Sequence, residues 1–215
     1  MGLILPYTRE DELVEQARAT GRALCLVYRP QGTCVVLGRG GSEERELHRA
    51  AIDTDGVPVY RRPGGGGAVV LDEGNLVVVL ALPLPGLGAV TAAFRLASDL
   101  VIGALGACGV PGVEQRGISD LVLGDRKLGG SCLRRERGLV HYATTVLVAP
   151  HLELMKRYLQ YPPREPAYRL RRPHDAFVTS LAAAGYDNDP AVWADPLEAY
   201  LRVSLSDFQF DNLRD

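Results

Sequence analysis

Seven consecutive apolar residues, Leu76 to Leu82, constrain the fold of this chain more than any other feature. The run does not alternate with polar residues, so it reads as a central strand buried on both faces rather than a half-exposed one. Other segments supply its neighbours. Ala23 to Tyr28 and Thr33 to Leu37 are short apolar runs separated by Arg29-Pro30-Gln31-Gly32, the pattern of a hairpin. Val57 to Tyr60, Ala68 to Leu71, Ser119 to Leu123 and Leu139 to Val148 are further predicted strands.

Helical spacing appears from Thr8 to Thr20, opened by a capping-box sequence Thr8-Arg9-Glu10-Asp11, and in the charged stretch Ser42 to Ala51. The longest helix is expected from Val90 to Cys108, where Val90, Phe94, Ala97, Val101 and Leu105 recur every three or four residues before Gly109. Leu152 to Leu159, His174 to Ala184 and Pro196 to Val203 complete the helices. The expected fold class is α+β: a mixed, mostly antiparallel sheet with packed helices, in a single domain over residues 1–215.

Charge narrows the partners. Twenty-four basic and 26 acidic side chains leave a formal net charge of -2, against the basic surplus that blanketing nucleic-acid phosphates requires. No nucleic-acid partner is expected. Neither is a membrane: the apolar stretch Ala68 to Val90 is broken by Asp72, Glu73, Asn75, Pro83 and Pro85, and Met1 to Leu5 is too short for a signal core. Cys25, Cys34, Cys108 and Cys132 lack C-x-x-C pairing, and His48, His141, His151 and His174 lack zinc spacing, so no metal site is predicted. A reducing cytoplasm fits this cysteine usage.

Two glycine-rich motifs carry the chemistry. In Arg61-Arg62-Pro63-Gly64-Gly65-Gly66-Gly67-Ala68-Val69-Val70, residues without a Cβ let main-chain N–H groups converge on a ligand, and two arginines add charge-assisted donors. A mobile hairpin loop is the competing reading. The second motif, Gly124-Asp125-Arg126-Lys127-Leu128-Gly129-Gly130-Ser131, holds one lysine on a tight turn, where an ammonium could neutralise a phosphate under attack by a carboxylate. A solvated surface lysine is the alternative. Asp72 and Asn75 are candidate metal or ribose contacts, in a sequence that also suits a turn.

Together these segments resemble the lipoate–protein ligase family, within the wider biotin/lipoate ligase group. The resemblance runs from Val35-Val36-Leu37-Gly38-Arg39 through both glycine motifs and Gly74-Asn75-Leu76. It continues through Ser119-Asp120-Leu121-Val122, His141-Tyr142-Ala143-Thr144 and Tyr161-Pro162-Pro163-Arg164-Glu165-Pro166, to Tyr168-Arg169. It implies ATP-dependent conversion of lipoate to lipoyl-AMP, aided by Mg²⁺, then transfer to a lysine of a lipoyl carrier domain. By resemblance Arg62, Gly67, Ala68, Val69 and Val70 bind nucleotide, and Gly65 and Gly66 line the lipoyl tunnel. Lys127 contacts acyl carbonyl and phosphate, while Asp120 and Thr144 flank the adenylate.

Three departures stand out. Leu71 replaces a frequent histidine, Cys132 replaces a usual alanine, and the chain ends at Asp215 without the family's small C-terminal domain. That leaves three outcomes: activation alone, activation with a separate accessory subunit, or transfer of a preformed acyl group. A transferase would use Cys132 as nucleophile, its thiolate favoured by Lys127 nearby. Gly38-Arg39-Gly40-Gly41 faintly resembles a biotin-ligase loop, but Ser42-Glu43-Glu44-Arg45 is largely acidic where basic residues are expected. A module that binds lipoyl-AMP without making it is the remaining alternative.

Overall fold

The apolar run is the second strand of a six-stranded antiparallel sheet. A computed structural model describes residues 3–84 and 90–206; Met1, Gly2, Pro85 and Asp215, named above, lie outside the described residues. The elements in chain order are β1 (Ile4–Pro6), α1 (Asp11–Thr20), β2 (Leu24–Tyr28), β3 (Cys34–Leu37), α2 (Glu43–Glu46), α3 (Arg49–Asp55), β4 (Val59–Arg61), β5 (Val69–Leu71) and β6 (Asn75–Pro83). Then follow α4 (Val90–Ala107), β7 (Val113–Arg116), β8 (Asp120–Leu123), β9 (Arg126–Glu136), β10 (Leu139–Leu147), α5 (Leu152–Tyr158), α6 (His174–Phe177) and α7 (Pro190–Ser206).

The larger sheet has the order β2-β6-β10-β9-β8-β7, and a four-stranded sheet has the order β1-β4-β3-β5. In the smaller sheet β4 runs parallel to β1 and β3, while β5 is antiparallel to β3. The mixed, mostly antiparallel α+β expectation is met.

Side-chain alternation along β6 explains its unbroken apolarity. Leu76, Val78, Leu80 and Leu82 join a core with Phe94, Ala97, Val101 and Leu105 of α4 and with Trp193, Leu197 and Leu201 of α7. Val77 and Val79 point the other way and meet Val36 and Leu71 of the smaller sheet. The outer face of that sheet, through Val35, Leu37, Val59 and Val70, packs on Ile52, Tyr158 and Leu159. The layers are therefore helix, sheet, sheet, helix, with β6 covered on both sides. Among the described residues α4 is the one helix long and apolar enough to cross a membrane. Its buried face, Ala93 to Leu105, makes it a core helix instead.

Several expectations need correction. The runs before and after Pro30 do not form a hairpin: β2 pairs with β6 in one sheet, and β3 pairs with β4 and β5 in the other. The predicted helix at Ser42 to Ala51 is two helices, divided where Leu47 bridges Leu159. Thr8 makes no side-chain cap; Glu10 occupies the N-cap of α1. The helical stretch expected at His174 to Ala184 shrinks to α6 and a 3-10 turn at Ala182–Ala184. The last helix begins at Pro190, and Pro196 lies inside it. Proline at the first helical position suits its missing N–H and fixed φ.

Candidate functional site

Two loops of the smaller sheet interlock because Gly38 carries no side chain at the crossing. A Cβ on Gly38, just after β3, would meet the Gly66 carbonyl oxygen at 2.0 Å. Arg39 N–H donates to Gly64 O at 2.9 Å. The Arg61 guanidinium braces the first loop, donating to the Gly38 and Gly41 carbonyls at 3.0 and 2.9 Å.

Arg62 braces the second. Its Nη2 donates to Gly65 O at 2.7 Å and Gly67 O at 2.8 Å, and its Nη1 to Val36 O at 3.1 Å. The arginine expected to face an anion thus holds its own loop's carbonyls. Peptides so oriented leave the loop's N–H groups for other acceptors.

Glu46 fastens the far side of the loop, and no local pattern betrayed it: it sits in a charged stretch that reads as solvated. Its carboxylate is buried and accepts from Ser42 N–H at 3.0 Å and Ala68 N–H at 2.7 Å. Val69 faces the space between the sheets. Val70 turns towards α5, so its side chain lies away from that space.

The second motif is built differently. Gly124, at φ 65, opens a two-residue connection between β8 and β9, the position where a tight hairpin turn wants glycine. Lys127 is not in that turn but in β9. It lies opposite Val122 of β8 and is flanked on the other side by Val178, while Thr179 N–H donates to its carbonyl at 2.8 Å. A bulge between Leu121 and Val122 shifts the register there, which re-aims side chains as bulges commonly do.

The Lys127 side chain is 28% exposed, and its Nζ lies 2.6 Å from Asp120 Oδ1. Asp120 Oδ2 accepts from the Tyr168 hydroxyl at 2.8 Å. Burial, with the Asp120 charge, pushes the Tyr168 phenol well above its ordinary range, so it stays protonated as a donor. An ammonium with one carboxylate partner keeps further N–H bonds for an incoming anion.

The two motifs meet across β9. Lys127 folds back over Gly130, where an added Cβ would lie 2.9 Å from Nζ. Two residues along the same strand, about 7 Å on, stands Cys132. A Cβ on Gly64 would lie 2.9 Å from Cys132 Sγ, so the arginine-led loop rests on that residue. The strip of β9 from Gly130 to Cys132, with the ammonium at one end and the glycine loop at the other, is the candidate trough.

Beyond Cys132, between the sheets, lies a buried polar cluster with no sequence signal. Tyr7 and Tyr28 hydroxyls are 2.7 Å apart, Tyr28 donates to Glu10 Oε1 at 3.1 Å, and His141 Nε2 lies 2.8 Å from Glu10 Oε2. Burial drives the Cys132 thiol upward, Glu10 adds to this, and Arg62 opposes it.

Two expected contacts move elsewhere. Thr144 is buried on the helix side of the sheet: Ser131 donates to its hydroxyl at 3.0 Å and also bonds Tyr142 OH, whose ring packs on Phe94. Its side chain faces away from Lys127 because it shares a face with Tyr142 and Val146. Asp72 is spent on architecture, accepting from Gly74 N–H, the Asn75 amide and His151 N–H, each at 2.8 Å. Neither Asp72 nor Asn75 reaches the trough.

Residues 6–198 match the family model described as the lipoyl protein ligase A/B catalytic domain. The chain belongs to that family. Solved members of similar fold include P. falciparum LipL1 in complex with lipoate, at 20% identity and a TM-score of 0.65 over 90% of this chain. This chain spans about half of LipL1, 52% of its length. The bipartite lipoate protein ligase of Thermoplasma acidophilum, studied with its E2 lipoyl domain, aligns at 19% identity and a TM-score of 0.75, covering 98% of this chain and 88% of that one. A lipoate-protein ligase A bound with ATP gives 20% identity and a TM-score of 0.74, with 99% and 92% coverage. At such identities the likeness is one of fold.

Proposed function

We propose that this chain is a lipoate–protein ligase, joining lipoate to AMP and passing the acyl group to a lysine of a lipoyl carrier domain. The observation that carries this reading is Lys127, paired with Asp120 and laid over Gly130 at one end of the trough whose other end is the arginine-led loop. In the first step a lipoate carboxylate oxygen bonds the α-phosphorus of ATP, and the bond to the β-phosphate oxygen breaks, releasing pyrophosphate. Lys127 offsets negative charge gathered on the reacting carboxylate and phosphate, and the strand and Val178 on its flanks fix its position before substrates arrive.

In the second step the carrier amine attacks the acyl carbonyl; a C–N bond forms, the C–O bond to AMP breaks, and the amine's proton leaves to solvent. Arg62, Gly67, Ala68, Val69 and Val70 are assigned to the nucleotide, the last through its backbone. Gly65, Gly66 and Asp120 are assigned to the acyl group and adenylate, with the apolar acyl chain between the sheets beside Cys132 and Ala143. Among the described residues no cluster of His, Cys, Asp or Glu offers three metal ligands. Mg²⁺ would therefore enter with the ATP phosphates, which suits an ion that binds few protein carboxylates and keeps its waters. The reading places the enzyme in the cytoplasm and leaves room for an accessory subunit.

A thiol-dependent acyltransferase is disfavoured by the environment of Cys132. Burial keeps that thiol protonated, and Gly64 lies directly against its sulfur. The test is release of pyrophosphate with lipoate, octanoate or biotin, alongside hydroxylamine trapping of the adenylate. Lipoate should support both, and Lys127→Ala should cut the rate by roughly 10²–10³ with the circular dichroism spectrum unchanged. Full activity in that variant, or no release with any of the three acids, refutes the reading.

A further inference from the structure

The stretch Tyr161 to Arg172 carries four arginines against one glutamate in a chain whose net charge is negative. It is folded onto the Lys127 strands from outside. Pro166 touches the β7–β8 turn, 3.7 Å from the position of a Cβ on Gly117. Tyr168 donates to Asp120 at one end of β8. Arg172 reaches the other end, donating to Asp125 Oδ2 and to Asp125 O, each at 2.9 Å. Arg169 is buried between the rings of Tyr161 and Phe177. The segment is pinned along the whole length of β8.

Its tip is presented outward at a conformational cost. Leu170 and Arg171 are consecutive non-glycine residues at φ 51 and 58, in the left-handed region. Such backbone persists only where the surroundings over-determine it, and it gathers at functional surfaces. Leu170 is 77% exposed, and Ile118, on the turn that Pro166 abuts, is 63% exposed. Arg164 and Arg171 have no acidic partner among the described residues. Two exposed apolar side chains and two guanidinium groups without acidic partners among the described residues thus form a rim on the segment and turn that flank Asp120.

We propose that this rim, Ile118 with Arg164, Leu170 and Arg171, is the docking surface for the acyl acceptor, a folded carrier domain that presents its lysine among acidic side chains. Charge complementarity chooses the occupant: unpaired cations steer an acidic surface and set its register. Continuity places it, since the rim is joined through Tyr168 and Asp120 to Lys127. The inference rests on the ligase reading for the reaction that follows docking, but not for docking itself.

The experiment compares wild type with Arg164→Glu/Arg171→Glu and with Leu170→Asp, using an acidic lipoyl carrier domain and a form whose carboxylates around the acceptor lysine are replaced by amides. The charge-reversed enzyme should lose on the order of tenfold in kcat/KM for the acidic carrier and most of its salt dependence, while hydroxylamine trapping of the adenylate and Tm stay unchanged. The amide carrier should lose a similar factor with wild type and little more with the variant, as coupled partners do. Undiminished transfer by the variants overturns the proposal. A parallel fall in hydroxylamine trapping also overturns it, because the arginines would then serve the nucleotide. If wild type traps no adenylate, the ligase reading fails by itself. Titration of carrier against enzyme then decides docking: binding lost on charge reversal supports the rim, and binding retained overturns it.

Discussion

At Gly65 an added Cβ would meet nothing within 4 Å, whereas at Gly129 it would meet the Thr145 carbonyl oxygen at 2.0 Å. The two glycine-rich stretches look alike as sequence and do different physical work. In the first, glycine frees the backbone: the loop bends so that its carbonyls satisfy Arg62, and Gly66 sits at φ 92. In the second, glycine clears space inside a paired strand, letting β9 lie close to β10 and leaving a floor beneath the lysine. Gly66 sets direction, and Gly129 sets distance.

That contrast can be broken most forcefully at Gly129. Gly129→Ala forces a side chain onto the Thr145 carbonyl, and we expect a loss of about 3 kcal/mol, read as a fall in Tm of roughly 6–12 °C. Gly65→Ala should stay within about 0.5 kcal/mol of wild type in the same measurement. Equal losses at both positions would erase the distinction.

Gly130→Ala separates stability from chemistry. Its Cβ meets the far end of a flexible side chain, Lys127 Nζ at 2.9 Å and Cε at 3.0 Å, so the fold should tolerate it. Displacing the ammonium should still lower the pyrophosphate-release rate by about tenfold, with Tm moving little. A variant that unfolds without losing specific activity would contradict this.

Arg62→Ala removes the brace on Gly65 and Gly67. The expected outcome is a rise of several-fold in KM for ATP, with a smaller change in KM for lipoate. Equal changes in both would mean that the loop positions the two substrates together.

The smallest effect belongs to pH. Burial, then the charge of Arg169, lowers the pKa of His174 from its ordinary 6.5. The folded state therefore holds this imidazole neutral, while the unfolded chain takes up a proton below about that pH. Stability should decline as pH falls through 6.5. Urea unfolding between pH 5 and 8 would show it, and His174→Gln should flatten that slope.

Local pattern made four strands of the large sheet legible, β2, β6, β8 and β10, but not β7 or the glycine-bearing β9. β6 and α4 were readable because an unbroken apolar run and a three-to-four spacing each admit one reading at their lengths. The β2–β3 hairpin was not, since two apolar runs around Pro30-Gln31-Gly32 look the same whether they pair with each other or part to different sheets. Long-range pairing decides that, and no local signal reports it. The site divides likewise. Lys127, Asp120 and the glycine loop lie within motifs that the sequence displays, whereas Glu46 reaches Ala68 from 22 positions away and the Glu10–His141 contact spans most of the chain. Thr144 entered by resemblance alone, and strand alternation, which puts successive side chains on opposite faces, sets it on the helix side with Tyr142.

The crossing of Gly38 over Gly66 has a consequence for anyone who would redesign this molecule. A Cβ on Gly38 would strike the Gly66 carbonyl, and Gly66 sits in left-handed backbone at φ 92, so a library that randomises both would consist mostly of collapsed proteins. Under the proposed ligase reading, variation in acid preference would then come from side chains between the sheets, such as Cys132 and Ala143. The knot of bare peptides at the entrance should be left as found.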